Sequence, residues 1–251
     1  MPGAEIGVGV EIGPFSVVEP GVVVGDGCRI GPQVHLLGRL ELGHRCVLRA
    51  GTVLGGEPQD DKYAGARSLV RIGENCQFHE HTTVHRATGE GEETVLGARV
   101  RMMAGSHIGH NCTVGDDVVL VNGSALGGHA RIGERCILSG NAAVHQFTRV
   151  GRLTMVAGGS MVTRDAPPFS MVTGAHPNRW RGANRIGLQR AGFETTECDA
   201  IRKSLRAIFA PGAAAREVAQ SLSSSEFPAV RELADFVLTS HRGVCAGLNQ
   251  R

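Results

Sequence analysis

Residues 102–137 read MMAGSH IGHNCT VGDDVV LVNGSA LGGHAR IGERCI when they are written six at a time. Every group opens on a large apolar residue, and its fifth position is small or β-branched: Ser, Cys, Val, Ser, Ala and Cys. A period of six matches neither the 3.6 residues of a helical turn nor the alternation of a half-buried strand. It predicts a solenoid in which each hexad forms one short strand and one turn, and three hexads close one coil.

The same spacing extends over most of the chain. Of the 27 multiples of six between residues 6 and 162, only Asp60, Ala66 and Glu90 are not large and apolar. The breaks, at about 57–69 and 87–95, keep the phase of the repeat, so we expect two loops that replace hexads in a β-helix over 1–166. Glycine, at 36 of 251 residues, is expected to supply the turn conformations.

The rest of the chain, 167–251, has a different pattern. Prolines in the sequence DAPP (165–168) end the repeat, because proline donates no hydrogen bond to a strand ladder. Apolar residues such as Ile201, Leu205 and Ile208 then recur at helical spacing, which predicts a linker and a C-terminal helical domain. This part has 11 Lys and Arg against 7 Asp and Glu, a net charge of +4 that could attract an acidic partner or simply be solvated.

Composition excludes several classes of protein. With 41% apolar residues and a net charge of +2, the chain is neither disordered nor a polybasic nucleic-acid binder. No apolar run approaches the roughly 20 residues of a membrane span, and the N-terminus has no basic segment followed by an apolar one. We therefore expect a cytoplasmic protein.

The seven cysteines fit the interior of the repeat. Five of them occupy the small fifth position of a hexad: Cys28, Cys46, Cys76, Cys112 and Cys136. Their total is odd and no CxxC motif occurs, which suits a reducing compartment. We interpret them as interior fillers rather than metal ligands or disulfide partners.

The histidines cluster when positions are placed on an 18-residue coil. Four fall on one edge of the solenoid: His107, His110, His129 and His145. Asn111 and Gln146 lie beside them, whereas His85 falls on a different face, so we expect it to reach the cluster only from a neighbouring subunit. Clustered imidazoles can serve acid–base catalysis, metal ligation or anion binding.

Seven short segments narrow the interpretation. They are QDDKYAG (59–65), TVHR (83–86), SHIGHNC (106–112), GGH (127–129), AVHQF (143–147), DAPP (165–168) and GLQRAGF (187–193). In this order they resemble the UDP-N-acetylglucosamine O-acyltransferases of lipid A biosynthesis, a hexapeptide-repeat family, over nearly the whole chain. The resemblance implies a mainly β protein, a left-handed parallel β-helix with a C-terminal α-helical domain. It also implies a homotrimer with active sites in the clefts between subunits.

The resemblance also implies a reaction, the first step of lipid A biosynthesis. A 3-hydroxyacyl chain would pass from acyl carrier protein to the 3-hydroxyl of UDP-GlcNAc. The carrier's phosphopantetheine would belong to a co-substrate, and no cofactor, metal, nucleic acid or membrane span is expected. A sugar hydroxyl needs a general base at neutral pH, and His110 matches the family's base. The Gly128 N–H matches the family's oxyanion donor.

Further positions match the family's binding residues. Those expected to line the substrate cleft are Gln59, Asp60, Lys62, His85, His107, His129, His145, Gln146, Gly158, Asn184 and Arg190. Gly158 matches the position that limits acyl chain length, and a glycine there is expected to admit a longer chain. Arg202, Lys203 and Arg206 are candidate contacts for the acidic carrier protein.

Two departures from the family pattern concern the site. Asn111 follows the base where the family commonly has Asp, and an amide does not offset the charge of an imidazolium. We expect lower activity, or help from another carboxylate such as Asp116. Ala191 stands where a second Arg is usual beside Arg190, which removes one phosphate contact.

Other functions fit parts of the sequence. A 3-amino analogue of the sugar would give N-acyl transfer by the same geometry, as in the N-acyltransferase of the same pathway. A γ-carbonic-anhydrase-like enzyme could ligate zinc through His107, His110 and His129. A catalytically silent binding solenoid is a third alternative.

Overall fold

A computed structural model of the protein describes residues 3–175 and 177–247. Residues 1–2, 176 and 248–251, which the two expected domains include, lie outside the described residues. Short strands, numbered β1 to β26 along the chain, form three sheets around one apolar interior.

The first sheet contains β1 (Glu5–Ile6), β4 (Val22–Val24), β7 (Arg39–Leu42), β10 (Leu69–Ile72), β13 (Glu93–Leu96), β16 (Thr113–Val114), β19 (Arg131–Ile132) and β22 (Arg149–Val150). The second contains β2 (Glu11–Ile12), β5 (Arg29–Ile30), β8 (Val47–Leu48), β11 (Gln77–Phe78), β14 (Arg101–Met102), β17 (Val119–Leu120), β20 (Ile137–Leu138), β23 (Met155–Val156), β25 (Ser170–Thr173) and β26 (Arg179–Ala183). The third contains β3 (Val17–Val18), β6 (His35–Leu36), β9 (Val53–Gly56), β12 (Thr83–His85), β15 (His107–Ile108), β18 (Ala125–Leu126), β21 (Ala143–Val144) and β24 (Met161–Val162).

Consecutive coils stack as parallel strands in the register that the hexads predict. Ile108 pairs with Leu126 and Leu126 with Val144, so each coil places its aliphatic side chain directly over the last. The five cysteines of the hexads are fully buried in this stack, as expected for interior fillers. Burial raises the pKa of Cys112 and of Cys136 to about 12, so both thiols stay protonated and inert.

Glycine supplies turn conformations as expected, for example at Gly105 (φ 67°) and Gly123 (φ 68°), and it has a second task in the stacking of the coils. A Cβ on Gly73, which directly follows an aliphatic, would lie 2.6 Å from the Ala98 backbone nitrogen of the next coil. The left-handed turn residue comes two positions later, and there Asn75 (φ 58°), Asn111 (φ 59°) and His129 (φ 60°) serve as well as glycine. Close stacking of coils therefore requires glycine more strictly than the turns do.

The two loops are inserted between hexads and do not replace them. Val84 pairs with Leu54, thirty residues earlier, and with Ile108, twenty-four residues later, instead of the usual eighteen. The segments 57–68 and 86–92 thus lengthen two coils by twelve and six residues. Both lengths are multiples of six, which is why the aliphatic phase survives.

The second sheet extends beyond residue 166. β25 pairs in parallel with β23, and β26 then adds an antiparallel strand. Four helices follow: α1 (Arg185–Arg190), α2 (Thr195–Ile208), α3 (Ala215–Leu222) and α4 (Pro228–Leu238). The described helices are all too short or too polar to cross a membrane.

A buried carboxylate joins the helices to the β-helix. The Asp165 side chain is 2% exposed and accepts hydrogen bonds from the Arg149 backbone N–H (2.8 Å), the Arg149 guanidinium (3.0 Å) and the Ser240 hydroxyl (2.9 Å). Arg149 also donates to the Phe236 carbonyl at the end of α4 (2.7 Å). Charged groups at this depth need such partners, so the contact fixes where the helical domain sits.

Candidate active site

A cleft of about 410 Å³ lies over the third sheet, along β12, β15, β18 and β21. We call it the histidine cleft; its polar lining consists of Gln59, His85, His107, His110, His145 and Gln146, with Gly109, Gly127 and Gly128 along its floor. His129 adjoins it, since its ring centroid is 5.2 Å from that of His110. The structure thus brings together the four histidines that the coil spacing places on one edge.

His85 belongs to this cleft in the same chain, so the expectation that it could arrive only from a neighbouring subunit is wrong. Its ring centroid lies 4.9 Å from that of His107 in an edge-to-face arrangement. The 18-residue scale misplaced it because the inserted segment 86–92 lengthens the coil between β12 and β15 by six residues.

His110 and Gly128 lie against each other in the lining of the cleft. A Cβ on residue 128 would lie 2.4 Å from both Cε1 and Nε2 of the imidazole, so only glycine lets the ring take this position. Among the described residues, none accepts a hydrogen bond from the Gly128 N–H. Acyl transfer requires two such groups: an imidazole that can accept a proton, and beside it a free N–H that can donate a hydrogen bond to an oxyanion.

The two nitrogens of the His110 ring have different neighbours. Nδ1 lies 2.8 Å from Asn111 Oδ1, which only accepts hydrogen bonds. Nε2 lies toward the cleft, 3.8 Å from Asp60 Oδ2, and the His110 side chain is 12% exposed. The proton is therefore placed on Nδ1 and the lone pair on Nε2, ready to accept a proton.

A carboxylate that the sequence did not reveal stands behind Asn111. Glu92 Oε2 accepts from Asn111 Nδ2 (2.6 Å) and from the Gly89 N–H (3.0 Å). The expectation that Asp116 could assist is wrong, because its carboxylate accepts from the Ala98 N–H and from Arg99 instead. Glu92 lies in the irregular loop 86–92, where no periodicity indicates its position.

The flanking imidazoles are uncharged at neutral pH. Burial, and then the nearby His85 and His110, lower the pKa of His107 to about 4, and its Nδ1 lies 2.8 Å from the Thr83 hydroxyl. Burial and His110 also lower the pKa of His85 and of His129. A positive charge on any of these three rings is therefore disfavoured at neutral pH.

The first inserted loop is held over one end of the cleft. Arg86, at the end of β12, donates to the Tyr63 hydroxyl (2.7 Å), to the Gly55 carbonyl (2.9 Å) and to Glu57 (3.0 Å). Asp60 Oδ1 in turn accepts from the Lys62 N–H (3.0 Å), and the Lys62 side chain is exposed. The loop residues expected to bind substrate are thus positioned by an arginine that the sequence analysis did not single out.

Asn184 and Arg190 lie elsewhere, in a groove of about 910 Å³ over the second sheet. Asn184 caps α1, accepting from the Gly187 N–H (3.0 Å) and donating to the Leu153 carbonyl (2.8 Å). Ala191 also lines this groove, whereas Gly158 is exposed at the corner between β23 and β24, outside the linings of both cavities. Within one chain Asn184, Arg190 and Gly158 are therefore separate from the histidine cleft.

Two of the three candidate docking residues share a basic hollow. Arg202 and Arg206 of α2 line a cavity of about 350 Å³ together with Arg181 and Arg185. Lys203 is exposed on the same helix but outside this lining.

The described part of a single chain offers no ligand set for the zinc alternative. Across residues 3–175 and 177–247, no three His, Cys, Asp or Glu side chains are arranged to hold a metal ion. The edge-to-face packing of His110 on His129 sets their rings at 90°, a packing contact rather than a shared coordination point.

Comparison with known proteins shows which family models the chain matches. Residues 3–38 and 21–56 match the bacterial transferase hexapeptide repeat, and 165–245 match the second domain of UDP-N-acetylglucosamine O-acyltransferases. The fold and the histidine cleft define a hexapeptide-repeat acyltransferase built on a left-handed parallel β-helix.

Individual relatives narrow this class to one family. The acyl-[acyl-carrier-protein]–UDP-N-acetylglucosamine O-acyltransferase of Gloeothece citriformis is 40% identical over 85% of this chain and 79% of its own length. That of Thermodesulfovibrio yellowstonii is 36% identical over 97% and 95%. The crystal structure of the Francisella novicida UDP-N-acetylglucosamine acyltransferase superposes with a TM-score of 0.93 at 32% identity, covering 99% of this chain and 92% of that one. The chain belongs to the acyl-[acyl-carrier-protein]–UDP-N-acetylglucosamine O-acyltransferase family.

Proposed function

We propose that the protein transfers a 3-hydroxyacyl chain from acyl carrier protein to the 3-hydroxyl of UDP-GlcNAc, the first step of lipid A biosynthesis. The observation that carries the proposal is the pairing of His110 with Gly128. A largely buried imidazole, its Nδ1 occupied by Asn111, lies against a glycine whose N–H has no partner among the described residues.

In this reaction His110 is the general base. Nε2 removes the proton of the acceptor hydroxyl as the oxygen attacks the thioester carbonyl, and the Gly128 N–H donates to the developing oxyanion. The C–O bond forms, the C–S bond breaks, and the imidazolium returns its proton to the departing thiolate. Asn111 keeps the Nδ1 proton in place throughout. The acyl group arrives on the phosphopantetheine of the carrier, and no other cofactor has a part in these steps.

The remaining histidine-cleft residues bind the substrates in this proposal. Gln59, Asp60 and Lys62 contact the sugar from the first loop, and His85, His107, His129, His145 and Gln146 line its path and that of the acyl chain. Because His85, His107 and His129 are neutral, they can donate or accept hydrogen bonds to hydroxyls without repelling the imidazolium at His110.

A homotrimer completes the site. The histidine cleft and the groove of Asn184 and Arg190 lie on different sheets of one chain, so one molecule of UDP-GlcNAc reaches both only between two copies. Arg190 would bind the diphosphate, for which a guanidinium is suited. In this proposal the neighbouring subunit contributes Asn184 and Arg190 to the site, and not His85 as expected.

The basic hollow beside α2 is the proposed docking surface for the acidic carrier protein, with Arg202 and Arg206 in its lining and Lys203 exposed on the same helix. We place the reaction in the cytoplasm, consistent with seven free cysteines, six of them buried.

Product identification tests the proposal. The purified protein is incubated with 3-hydroxyacyl carrier protein and either UDP-GlcNAc or its 3-amino analogue, and products are separated and weighed by mass spectrometry. Faster formation of the ester UDP-3-O-acyl-GlcNAc supports the proposal. Faster amide formation would assign the N-acyl alternative, and no product from either acceptor over several chain lengths would reject acyl transfer.

A further inference from the structure

The hydrogen bonds that begin at His110 Nδ1 continue through Asn111 to a further side chain. The Asn111 side chain could in principle present either its oxygen or its amide nitrogen to His110, and the two choices place opposite demands on the imidazole. An oxygen facing Nδ1 requires the Nδ1–H tautomer, whereas an amide nitrogen would require the Nε2–H tautomer. Only the first leaves Nε2 free to remove a proton.

The neighbours of Asn111 settle this orientation. Its Oδ1 accepts from the Thr88 N–H (3.1 Å) and the Thr88 hydroxyl (3.0 Å), while its Nδ2 donates to Glu92 Oε2 (2.6 Å). A carboxylate only accepts, so Glu92 forces Nδ2 to point at it and Oδ1 to point at His110. The Gly89 N–H fixes Glu92 Oε2 in its turn (3.0 Å).

We propose that Glu92 is a positioning residue for the general base: through Asn111 it holds His110 with the proton on Nδ1 and the lone pair on Nε2. In this chain a three-residue series, His110, Asn111 and Glu92, replaces a carboxylate in direct contact with the imidazole. The negative charge is still present, one side chain further out. The inference rests on the proposed acyl transfer, in which His110 is the base.

If Glu92 acts through Asn111, the effect of replacing Glu92 should depend on which residue occupies position 111. A merely structural role for Glu92 does not predict this dependence. Asn111→Asp alone sets two carboxylates at hydrogen-bonding distance, and their repulsion should lower kcat about tenfold. The φ of residue 111, 59°, suits an aspartate as well as an asparagine, so the backbone tolerates the change. Adding Glu92→Gln supplies an amide donor for the new carboxylate at position 111, and the double variant should regain wild-type kcat or more.

In the wild-type background Glu92→Gln should instead lower kcat roughly five- to tenfold at unchanged KM, because an uncharged glutamine can present either its oxygen or its nitrogen and no longer forces Asn111 Nδ2 to face it. The effect of Glu92→Gln thus changes sign with the residue at 111. Glu90→Gln is the matched control: Glu90 lies in the same loop and accepts from the Arg67 N–H, so the variant should keep the wild-type kcat. An equal factor for Glu92→Gln in both backgrounds would overturn the proposal.

A second readout does not depend on any reaction. Long-range ¹H–¹⁵N spectra of protein labelled at histidine distinguish the two tautomers, and His110→Gln identifies the His110 signals by their loss. We expect the Nδ1–H form in wild type and a mixture of tautomers in Glu92→Ala. An unchanged spectrum in Glu92→Ala, or an Nε2–H wild type, would overturn the inference. If the tautomer behaves as expected while no ester forms, the proposed reaction fails and the positioning by Glu92 stands.

Discussion

The imidazole of His110 lies so close to Gly128 that a single methyl group on residue 128 would stand 2.4 Å from Nε2. The proposed general base and the proposed oxyanion donor therefore depend on each other's geometry. Glycine is required at position 128 because the ring of His110 occupies the space that a side chain would need. Its backbone conformation does not require glycine.

Gly128→Ala should therefore lose at least about a hundredfold in kcat, the scale of a lost oxyanion interaction. The added methyl displaces the imidazole although the N–H remains. Gly140→Ala is the matched control, because its Cβ would meet nothing nearer than the Asn122 carbonyl at 3.7 Å. Steady-state kinetics on both variants, beside thermal melts, separate misplacement of the base from loss of folding. Equal kcat for the two variants would contradict the account.

His107 should make the folded state less stable in mild acid. Its pKa is about 4 in the folded chain and near 6.5 when exposed, so between these values the unfolded chain binds more protons. The free energy of unfolding should fall as the pH drops from about 6.5 to about 4, by up to about 3 kcal/mol from this residue. Urea titrations at fixed protein concentration measure it. In His107→Gln this part of the pH dependence should be missing; an unchanged slope would refute it.

Gly158→Met should shift the preference toward shorter acyl donors. Competition between carriers of different chain length, analysed by product mass, measures the shift. The KM for UDP-GlcNAc provides the control and should stay constant. Gly158 lies outside the histidine cleft of a single chain, so a changed donor profile would also support a groove that is completed between subunits. An unchanged profile would remove Gly158 from the acyl site.

Arg206→Glu should raise the KM for the acyl carrier protein roughly tenfold and leave kcat unaltered, because it reverses a charge in the basic hollow of α2. The wild-type KM should also rise with ionic strength. An acylated phosphopantetheine without the carrier protein is the control donor, and its kinetics should not respond to the substitution. Equal effects on both donors would argue against electrostatic docking.

Asp165→Ala should lower the free energy of unfolding by about 3–5 kcal/mol, because it leaves the Arg149 guanidinium without the buried carboxylate that neutralises it. Asp199→Ala is the control, since Asp199 forms a half-exposed ion pair with Arg202 within α2, and its loss should cost less than about 1 kcal/mol. Chemical denaturation of both variants at equal concentration tests the difference. Similar losses would show that the Asp165 contact does not join the domains.

The fold could be predicted in unusual detail because one regular period determines it. Each aliphatic at a multiple of six within the coils, such as Ile108 or Leu126, is fully or almost fully buried from Val18 onward, and so are the five cysteines. The spacing also predicted which histidines share an edge, as long as the coils between them had eighteen residues. His85 shows where this reasoning fails: the six-residue insertion between it and the other histidines preserves the phase of six but changes the phase of eighteen.

The parts of the site that escaped prediction lie in the inserted loops. Glu92 and Thr88 contact Asn111 from the segment 86–92, and Arg86 anchors Tyr63 across two loops. No repeat relates such residues to the coils, so only the folded chain shows which side chains meet. The expectation for Asp116 was wrong although Asp116 lies in a regular hexad, because its carboxylate accepts a hydrogen bond from Arg99 on the preceding coil.

The most direct test of the account compares His110→Ala with the wild type, both supplied with 3-hydroxyacyl carrier protein and UDP-GlcNAc. The amount of UDP-3-O-acyl-GlcNAc formed over time is measured by mass spectrometry. With His110 as the base, the wild type forms the ester and the variant loses at least about a hundredfold in rate while melting at the same temperature. A variant that forms the ester at the wild-type rate would contradict the central claim.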